Sequence, residues 1–211
     1  MMEKIDSAAL IRWIEECARQ VADHEDALCD LDAASGDADH GSNLARGFAA
    51  VRDTVTSLSD ETPAVVLKDS GMTLVDTIGG SSGALYGTFF LRMAKSVGTA
   101  ELLDAPMVAV MLQAGAGGVA ERGQVELGDK TLYDALAPAV GELARVVAAG
   151  GSLADALDAA AEAAERGRDG TADMVARKGR ASYLGERTRG HIDAGAASMA
   201  LIVRAATTMV R

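Results

Sequence analysis

The sequence predicts an all-α protein, and two features of its 211 residues support this. Hydrophobic residues make up 49% of the chain but aromatic residues only 3%, so the core must consist mainly of Ala, Leu, Val, Ile and Met. Such small side chains let helices approach closely. Apolar residues also recur at spacings of three and four, as in amphipathic helices. We therefore expect one domain over residues 1–211, built from about eight antiparallel helices.

Eight segments show the helical pattern, and most are bounded by residues that start or stop helices. Asp6 or Ser7 can cap the first segment, and Pro63 suits the first turn of the third. Pro138 is expected either to bend the sixth helix or to mark its first turn. The segments cover approximately residues 7–34, 44–55, 63–75, 85–93, 100–119, 132–149, 153–168 and 196–210.

The connections between these helices differ in composition. If consecutive helices run up and down, every second connection lies at the same end of the molecule. The connections after the first, third, fifth and seventh helices contain most of the glycine and polar clusters, whereas the other connections contain few of them. The four polar connections contain GDADHGSN, GGSSG, RGQVELGDKT and KGRASYLGERTRGHIDAG. We therefore predict a site at one end of a helical barrel.

The formal net charge of −11 disfavours several classes of partner. An acidic surface repels nucleic acid and anionic lipid, so we expect neither partner. No apolar run reaches the length of a membrane span, and the N-terminus carries charges throughout. Cys17 and Cys29 form no CxxC motif, which is typical of a reduced cytoplasmic protein. An acidic protein that binds an acidic nucleotide would need a metal cation.

Three aspartates lie within eight residues around the first polar connection: Asp32, Asp37 and Asp39. A divalent cation would relieve their mutual repulsion, and magnesium prefers one or two carboxylates together with water and phosphate oxygens. Gly36 and Gly41 would let the backbone turn around such an ion. The alternative is an acidic loop that only caps a helix and aids solubility.

Other groups in the polar connections can contact an anion. Ser42 and Asn43 lie at a predicted helix start, where phosphate binding and ordinary N-capping explain them equally well. His40 can donate to a phosphate oxygen or serve a structural role. The GGSSG turn, residues 79–83, can cradle a phosphate before a helix but lacks the lysine of a P-loop. Late cations either reach phosphate or form a solvated charge run: Lys178, Arg180, Arg187 and Arg189.

As a set, four motifs resemble those of the nucleotide-binding subunits of bacterial dihydroxyacetone kinases, the DhaL family. The motifs are GDADHGSNLARGF, GGSSGALYGTFFL, GDKTLYDAL and GRASYLGERTRGHIDAGA. They follow the family's order from Asp32 to Gly195 and so cover nearly the whole domain. The resemblance implies an eight-helix barrel with the nucleotide at one rim, in agreement with the argument from alternate connections.

The resemblance also implies a set of ligands. Asp32, Asp37 and Asp39 match the residues that hold two Mg²⁺ ions in this family. Gly123 and Leu132 match positions beside the adenine of the nucleotide. The implied contacts to ADP or ATP are His40, Gly41, Ser42, Asn43, Gly80, Ser81, Ser82, Gly123, Leu132, Arg180, Asp193 and Gly195.

The same resemblance implies a phosphotransferase divided between subunits. Dihydroxyacetone would be held covalently by a histidine of a separate DhaK subunit, and a DhaM subunit would rephosphorylate the resident ADP. One alternative is an ATP-dependent kinase lobe, for dihydroxyacetone or a related ketose, that uses exchangeable ATP. Another is a non-catalytic nucleotide-binding protein that signals by docking to a regulator. We assign no catalytic acid or base to this chain, and the sequence leaves a homodimer open.

Overall fold

The computed structural model describes residues 4–34 and 36–211, and these residues confirm the predicted all-α class. They contain nine α-helices and no β-strand, only an isolated bridge between Ile5 and Leu103. Ser35, the first residue of the predicted aspartate-rich loop, lies outside the described residues. The helices are α1 (Ser7–Asp23), α2 (Glu25–Ala33), α3 (His40–Val55), α4 (Pro63–Thr77), α5 (Gly80–Val97), α6 (Ala105–Gly123), α7 (Leu132–Ala148), α8 (Leu153–Gly170) and α9 (Ala194–Ala205). Three 3₁₀ segments add to them: Thr171–Asp173, Arg180–Thr188 and Ala206–Val210.

Local side chains fix several helix starts where the sequence predicts them. The carboxylate of Asp6 accepts a hydrogen bond from the backbone amide of Ala9 at 2.8 Å and so caps α1. Thr62 caps α4 in the same way, and Pro63 occupies the first turn, where its missing N–H has no cost. Both predicted starts are confirmed.

One detail of the predicted helix pattern was wrong, and one of the two alternatives for Pro138 is excluded. The first predicted helix is broken at His24, whose backbone leaves the helical region (φ −114°, ψ 14°), so that His24 lies between α1 and α2 rather than within one helix. Neither glycine nor proline signals this break. Pro138 lies inside α7, not in its first turn, because Thr131 and Asp134 form a capping box that starts the helix earlier.

The helices pack in a spatial order that follows the chain and returns to its start. Helix α1 packs against α3, and each helix from α3 to α9 packs against the next. Helix α9 also packs against α1, while α2 lies against α3 and α9. This order closes a ring of helices and is compatible with the predicted barrel.

Aromatic side chains are few, but the largest are concentrated in the core. The only tryptophan and all three phenylalanines are fully buried: Trp13, Phe48, Phe89 and Phe90. The ring of Phe90 is central, with centroid distances of 5.6 Å to Trp13 and 5.4 Å to Phe89. Aliphatic residues from every α-helix except α2 complete one continuous hydrophobic cluster around these rings. Among the described residues, none of the α-helices could span a bilayer, because none combines the necessary length with sufficient hydrophobicity.

The contact between α7 and α8 depends on a glycine and yields a prediction about stability. A methyl group on Gly167 would lie 2.2 Å from the carbonyl oxygen of Asp134, which is backbone and cannot move aside cheaply. Gly167→Ala should therefore lower the free energy of unfolding by about 1–3 kcal/mol, although alanine has the higher helix propensity.

Gly141→Ala is the matched control, because Gly141 lies in α7 and its added methyl group would meet nothing within 4 Å. This variant should be stabilised by up to about 1 kcal/mol. Urea unfolding followed by circular dichroism measures both changes. Stabilisation of both variants would show that α7 and α8 are not packed as described.

Candidate functional site

The starts of four helices meet at one end of the bundle and surround a cleft of about 850 Å³. These helices are α3, α5, α7 and α9, and each follows one of the four polar connections. The prediction that these connections share one end is confirmed. All but two of the predicted site residues line the cleft, and those that do are Asp32, Asp37, Asp39, His40, Asn43, Gly80, Ser81, Ser82, Gly123, Leu132, Arg180, Asp193 and Gly195.

The charge distribution of the cleft suits an anion held through a cation. Helix N-termini carry partial positive charge and unpaired N–H groups, and four of them converge here. The basic residues Arg122, Lys178 and Arg180 also line the cleft. The same cleft also contains negatively charged groups, because Asp193 and the aspartates of the α2–α3 loop line it as well.

Asp32, Asp37 and Asp39 form a compact acidic cluster, in which one carboxylate oxygen from each lies within 4.8 Å of the others. Asp32 lies in the last turn of α2, and the loop folds back toward it. Its carboxylate accepts a hydrogen bond from the amide of Asp39 at 3.1 Å, and its carbonyl oxygen accepts one from the amide of Gly36 at 2.5 Å. Three exposed or half-exposed carboxylate oxygens at this spacing form a donor set that fits Mg²⁺.

Arg180 reaches across the cleft to this cluster and forms an ion pair with Asp37. The hydrogen bond from its guanidinium group lowers the pKa of the Asp37 carboxyl. Both side chains are well exposed, so the pair contributes little stability and can exchange partners readily. Arg180 is thus placed where a phosphate group bound near the cluster would compete with Asp37 for it.

His40, at the start of α3, belongs to a network of polar side chains beneath the cleft. Its Nε2 atom lies 2.9 Å from the hydroxyl oxygen of Ser198 on α9. That hydroxyl lies 2.6 Å from the hydroxyl of Tyr86 on α5. Burial lowers the pKa of His40 and raises that of Tyr86. The network connects three of the converging helices, and sequence analysis did not single out Tyr86 or Ser198.

Two predicted phosphate contacts do not line the cleft. Gly41 is buried against the backbone of Glu25 in α2. The hydroxyl of Ser42 donates to the carbonyl oxygen of Asp39 at 3.1 Å, which holds the loop rather than facing the cavity. Their backbone N–H groups still belong to the first turn of α3. Their contact with a nucleotide therefore stays a prediction, restricted to the main chain.

The GGSSG turn forms the start of a helix rather than a separate loop. Helix α5 begins at Gly80, whose φ of +68° favours glycine, so Ser81 and Ser82 lie in its first turn. Their hydroxyls and the free amides of that turn can donate to an anion. The predicted start of this helix, residue 85, was five residues too late, because two serines and three glycines resemble a loop.

One part of the cleft wall is apolar. Leu85, Val125 and Leu132 line it, and Gly123 leaves the space between the side chains of Leu85 and Val125 open. A flat aromatic base can pack on such a surface. Sequence analysis singled out Gly123 and Leu132 but missed the other two, which are ordinary aliphatic residues in the sequence.

Asp193 lies at the start of α9 and lines the cleft. Its carboxylate accepts a hydrogen bond from the amide of Ala196 at 2.7 Å, and its own amide donates to the hydroxyl of Thr171 at 2.9 Å. Burial raises the pKa of Asp193 to about 7. It is therefore a carboxyl group that can change its charge near neutral pH.

Residues 34–208 match the family model described as the DAK2 domain. The chain belongs to the DAK2 domain family. It is 40% identical over 195 residues to the PEP-dependent dihydroxyacetone kinase, ADP-binding subunit DhaL, of Escherichia coli (strain K12), covering 92% of this chain and 93% of that protein. The subunit DhaL of PEP-dependent dihydroxyacetone kinase 1 from Listeria innocua is also 40% identical over 195 residues, with 92% of each chain covered.

A solved structure supports the same DAK2 assignment. The dihydroxyacetone kinase from C. freundii in complex with AMP-PNP and Mg²⁺ superposes with a TM-score of 0.73 and 25% identity. The match covers 97% of this chain but only 34% of the C. freundii chain. The DAK2 fold described here is thus one part of that longer kinase.

Asp193 should make the stability of this DAK2 chain depend on pH. Its pKa of about 7 in the folded protein lies above its ordinary value of 3.8, so between these values the folded state binds more protons than the unfolded state. The contribution of Asp193 to the free energy of unfolding should therefore fall as pH rises from about 4 to about 7, by at most about 1.4 kcal/mol per pH unit.

Asp193→Asn should remove this dependence, because the amide does not titrate but still caps α9. Urea unfolding of both proteins at several pH values across this range provides the measurement. The mutant should gain stability relative to the wild type as pH rises. Parallel stability curves for the two proteins would contradict the raised pKa.

Proposed function

We propose that this chain is the nucleotide-binding subunit of a dihydroxyacetone kinase. In this proposal, the cleft holds ADP with Mg²⁺, and the phosphoryl group passes to dihydroxyacetone bound on a separate DhaK-like subunit. One observation carries the proposal: the acidic cluster and the four helix starts share one cleft, in a chain 40% identical to an ADP-binding subunit along 93% of that subunit's length.

The acidic cluster is suited to hold the metal. Asp32, Asp37 and Asp39 offer oxygen ligands from two sides of one loop, and we propose that they hold two Mg²⁺ ions. When bound, magnesium supplies charge neutralisation between the carboxylates and the phosphates. This resolves the electrostatic conflict of binding ADP to a chain of net charge −11.

The remaining residues of the cleft orient the nucleotide. The first turn of α5, with Ser81 and Ser82, and the side chain of Asn43 donate to phosphate oxygens in this proposal. Arg180 leaves Asp37 and turns to the phosphates, since their exposed ion pair costs little to break. The apolar wall around Leu132 receives the base.

The chain provides no acid or base for the transfer, and phosphoryl transfer depends mainly on positioning and charge neutralisation. His40 lines the cleft, but its Nε2 atom is engaged with the hydroxyl of Ser198, and His24 and His191 are exposed outside the cleft lining. We therefore assign no histidine of this chain to hold a ketone covalently. This supports a division of labour in which a DhaK-like subunit binds the substrate and a DhaM-like subunit rephosphorylates ADP. A homodimer stays a prediction.

The C. freundii match favours a second candidate, an ATP-dependent kinase lobe that exchanges its nucleotide. Identity to the DhaL subunits is higher, at 40% against 25%, and we therefore rank the subunit first. The two differ in how long ADP stays bound. ADP that co-purifies with the chain and survives dialysis supports the subunit, whereas loss of ADP and activity with ATP and a DhaK-like partner alone supports the lobe.

Asp39→Asn should weaken Mg²⁺-dependent binding of ADP at least about tenfold while the helical fold persists, because an amide is a poor magnesium ligand and Asp39 is exposed. Asp37→Asn should act in the same way. Asp30→Asn is the matched control, since it removes the same charge from an exposed position of α2 outside the cluster. Isothermal titration with and without Mg²⁺ gives the affinities. Equal affinities in the Asp39 and Asp30 variants would rule out the metal assignment.

The purified chain should not phosphorylate dihydroxyacetone when supplied with Mg²⁺ and ATP alone, since its polar groups are committed to metal and phosphate. Product should form once a DhaK-like subunit is added, together with a DhaM-like phosphodonor if ADP is resident. A coupled assay of dihydroxyacetone phosphate measures both conditions. Robust turnover by the chain alone would identify a self-sufficient kinase and refute the subunit proposal.

A further inference from the structure

Lys130 is a buried lysine to which the proposed chemistry assigns no role. Only 3% of its surface is exposed, although it borders the cleft between α6 and α7. Its ammonium group donates to the backbone carbonyl oxygens of Thr171, Thr188 and His191 at 2.7, 2.7 and 2.6 Å. A fourth carbonyl oxygen, of Met174, lies farther away at 3.3 Å. The three N–H donors of an ammonium group are therefore all used.

This charge is balanced by main-chain dipoles rather than by a bonded carboxylate. Among the residues that the structure describes, no carboxylate lies within ion-pair distance of Lys130. Burial lowers the pKa of Lys130, and the nearby charge of Asp193 opposes that shift. A buried ammonium group is costly unless its hydrogen bonds are satisfied, so this arrangement indicates a specific role.

The carbonyl groups come from both ends of one segment, residues 171–191, which we call the strap. Additional hydrogen bonds fold the strap on itself: the amide of Gly190 donates to the carbonyl of Ala172 at 2.8 Å, and that of Ala176 to the hydroxyl of Thr188 at 3.0 Å. The middle of the strap, residues 178–181, lines the cleft and carries Arg180. Lys130 thus joins the two ends of the strap at a single point.

The anchor point itself is held firmly. The carboxylate of Asp134 accepts hydrogen bonds from the amides of Gly128 and Thr131 on either side of Lys130, at 2.5 and 2.7 Å. The amide of Arg177, in the strap, donates to the carbonyl of Asp129 at 3.0 Å. Lys130 has a left-handed backbone (φ +62°), which costs energy for a non-glycine residue and is kept by these contacts.

We propose that Lys130 is a positioning residue whose ammonium group fixes the strap over the cleft and thereby lengthens the residence of bound Mg²⁺–ADP. The nucleotide part rests on the proposed function, whereas the anchoring part does not. Without the ammonium group, four carbonyl oxygens would face one another with no donor between them. The strap would open to hydrate them, and Arg180 would move with it.

The anchoring part is tested by hydrogen exchange without nucleotide. Lys130→Met keeps the length of the side chain but removes its charge and donors. Amides of residues 171–191 should exchange at least about tenfold faster in this variant, while those of α1, α4 and α5 keep their rates. Lys95→Met is the matched control, because it removes an exposed charge in the last turn of α5. Unchanged exchange in the strap overturns the proposal.

The residence part is tested by chasing labelled ADP from the Mg²⁺ complex of the full chain with excess unlabelled ADP. Lys130→Met should release ADP at least about tenfold faster, with a much smaller change in the association rate. A residue that only stabilises the fold would lower the melting temperature and leave the release rate unchanged below it, and that result overturns the proposal. Failure of the wild type to bind ADP would instead refute the proposed function and leave the exchange result standing.

A second variant keeps the test decisive if Lys130→Met does not fold. Lys130→Gln retains two N–H donors without the charge and should give a smaller acceleration of both strap exchange and ADP release. Wild-type values for both quantities in a folded Lys130→Gln protein would overturn the proposal.

Discussion

The cleft depends on one constraint, which is that four helices begin at the same end of the bundle. Alternation of direction along the chain brings α3, α5, α7 and α9 to this end, and each N-terminus contributes unpaired amide donors and partial positive charge. An acidic chain can thereby offer a locally anion-attracting surface without many basic side chains. The aspartates then add a cluster of carboxylates inside that surface, so the distribution of charge in the cleft does not follow the net charge of −11.

Much of this arrangement could be predicted because it follows from order along the chain. Helical periodicity gave the number of helices closely, and their alternation placed the four polar connections together. The break at His24 could not be predicted, because no local signal marks it and the contact of α2 with α3 is a tertiary effect. Leu85 and Val125 were missed for a similar reason, since an aliphatic residue becomes a wall only when the chain is folded.

The roles of buried polar groups also could not be predicted from the local sequence. Lys130 stands in the motif GDKTLYDAL, which was noticed as a whole, but sequence analysis assigned this residue no role. Its role depends on carbonyl groups that lie at least 41 residues away in the chain. Tyr86 and Ser198, which meet 112 residues apart, are equally invisible to periodicity. Polar contacts between helices are settled by the packing and not by the local sequence.

Because the protein has a single tryptophan, unfolding of the core and changes at the cleft can be followed separately by fluorescence. Trp13 is fully buried against Phe90, and its indole N–H donates to Ile202, about two turns of α9 beyond the residues that line the cleft. Its emission should be blue-shifted in the native state and change on global unfolding. Because no indole lies at the cleft, occupation of the site should leave that emission nearly unaltered. Intrinsic fluorescence therefore reports on the integrity of the core, and a label placed on the strap would report separately on the opening of the site.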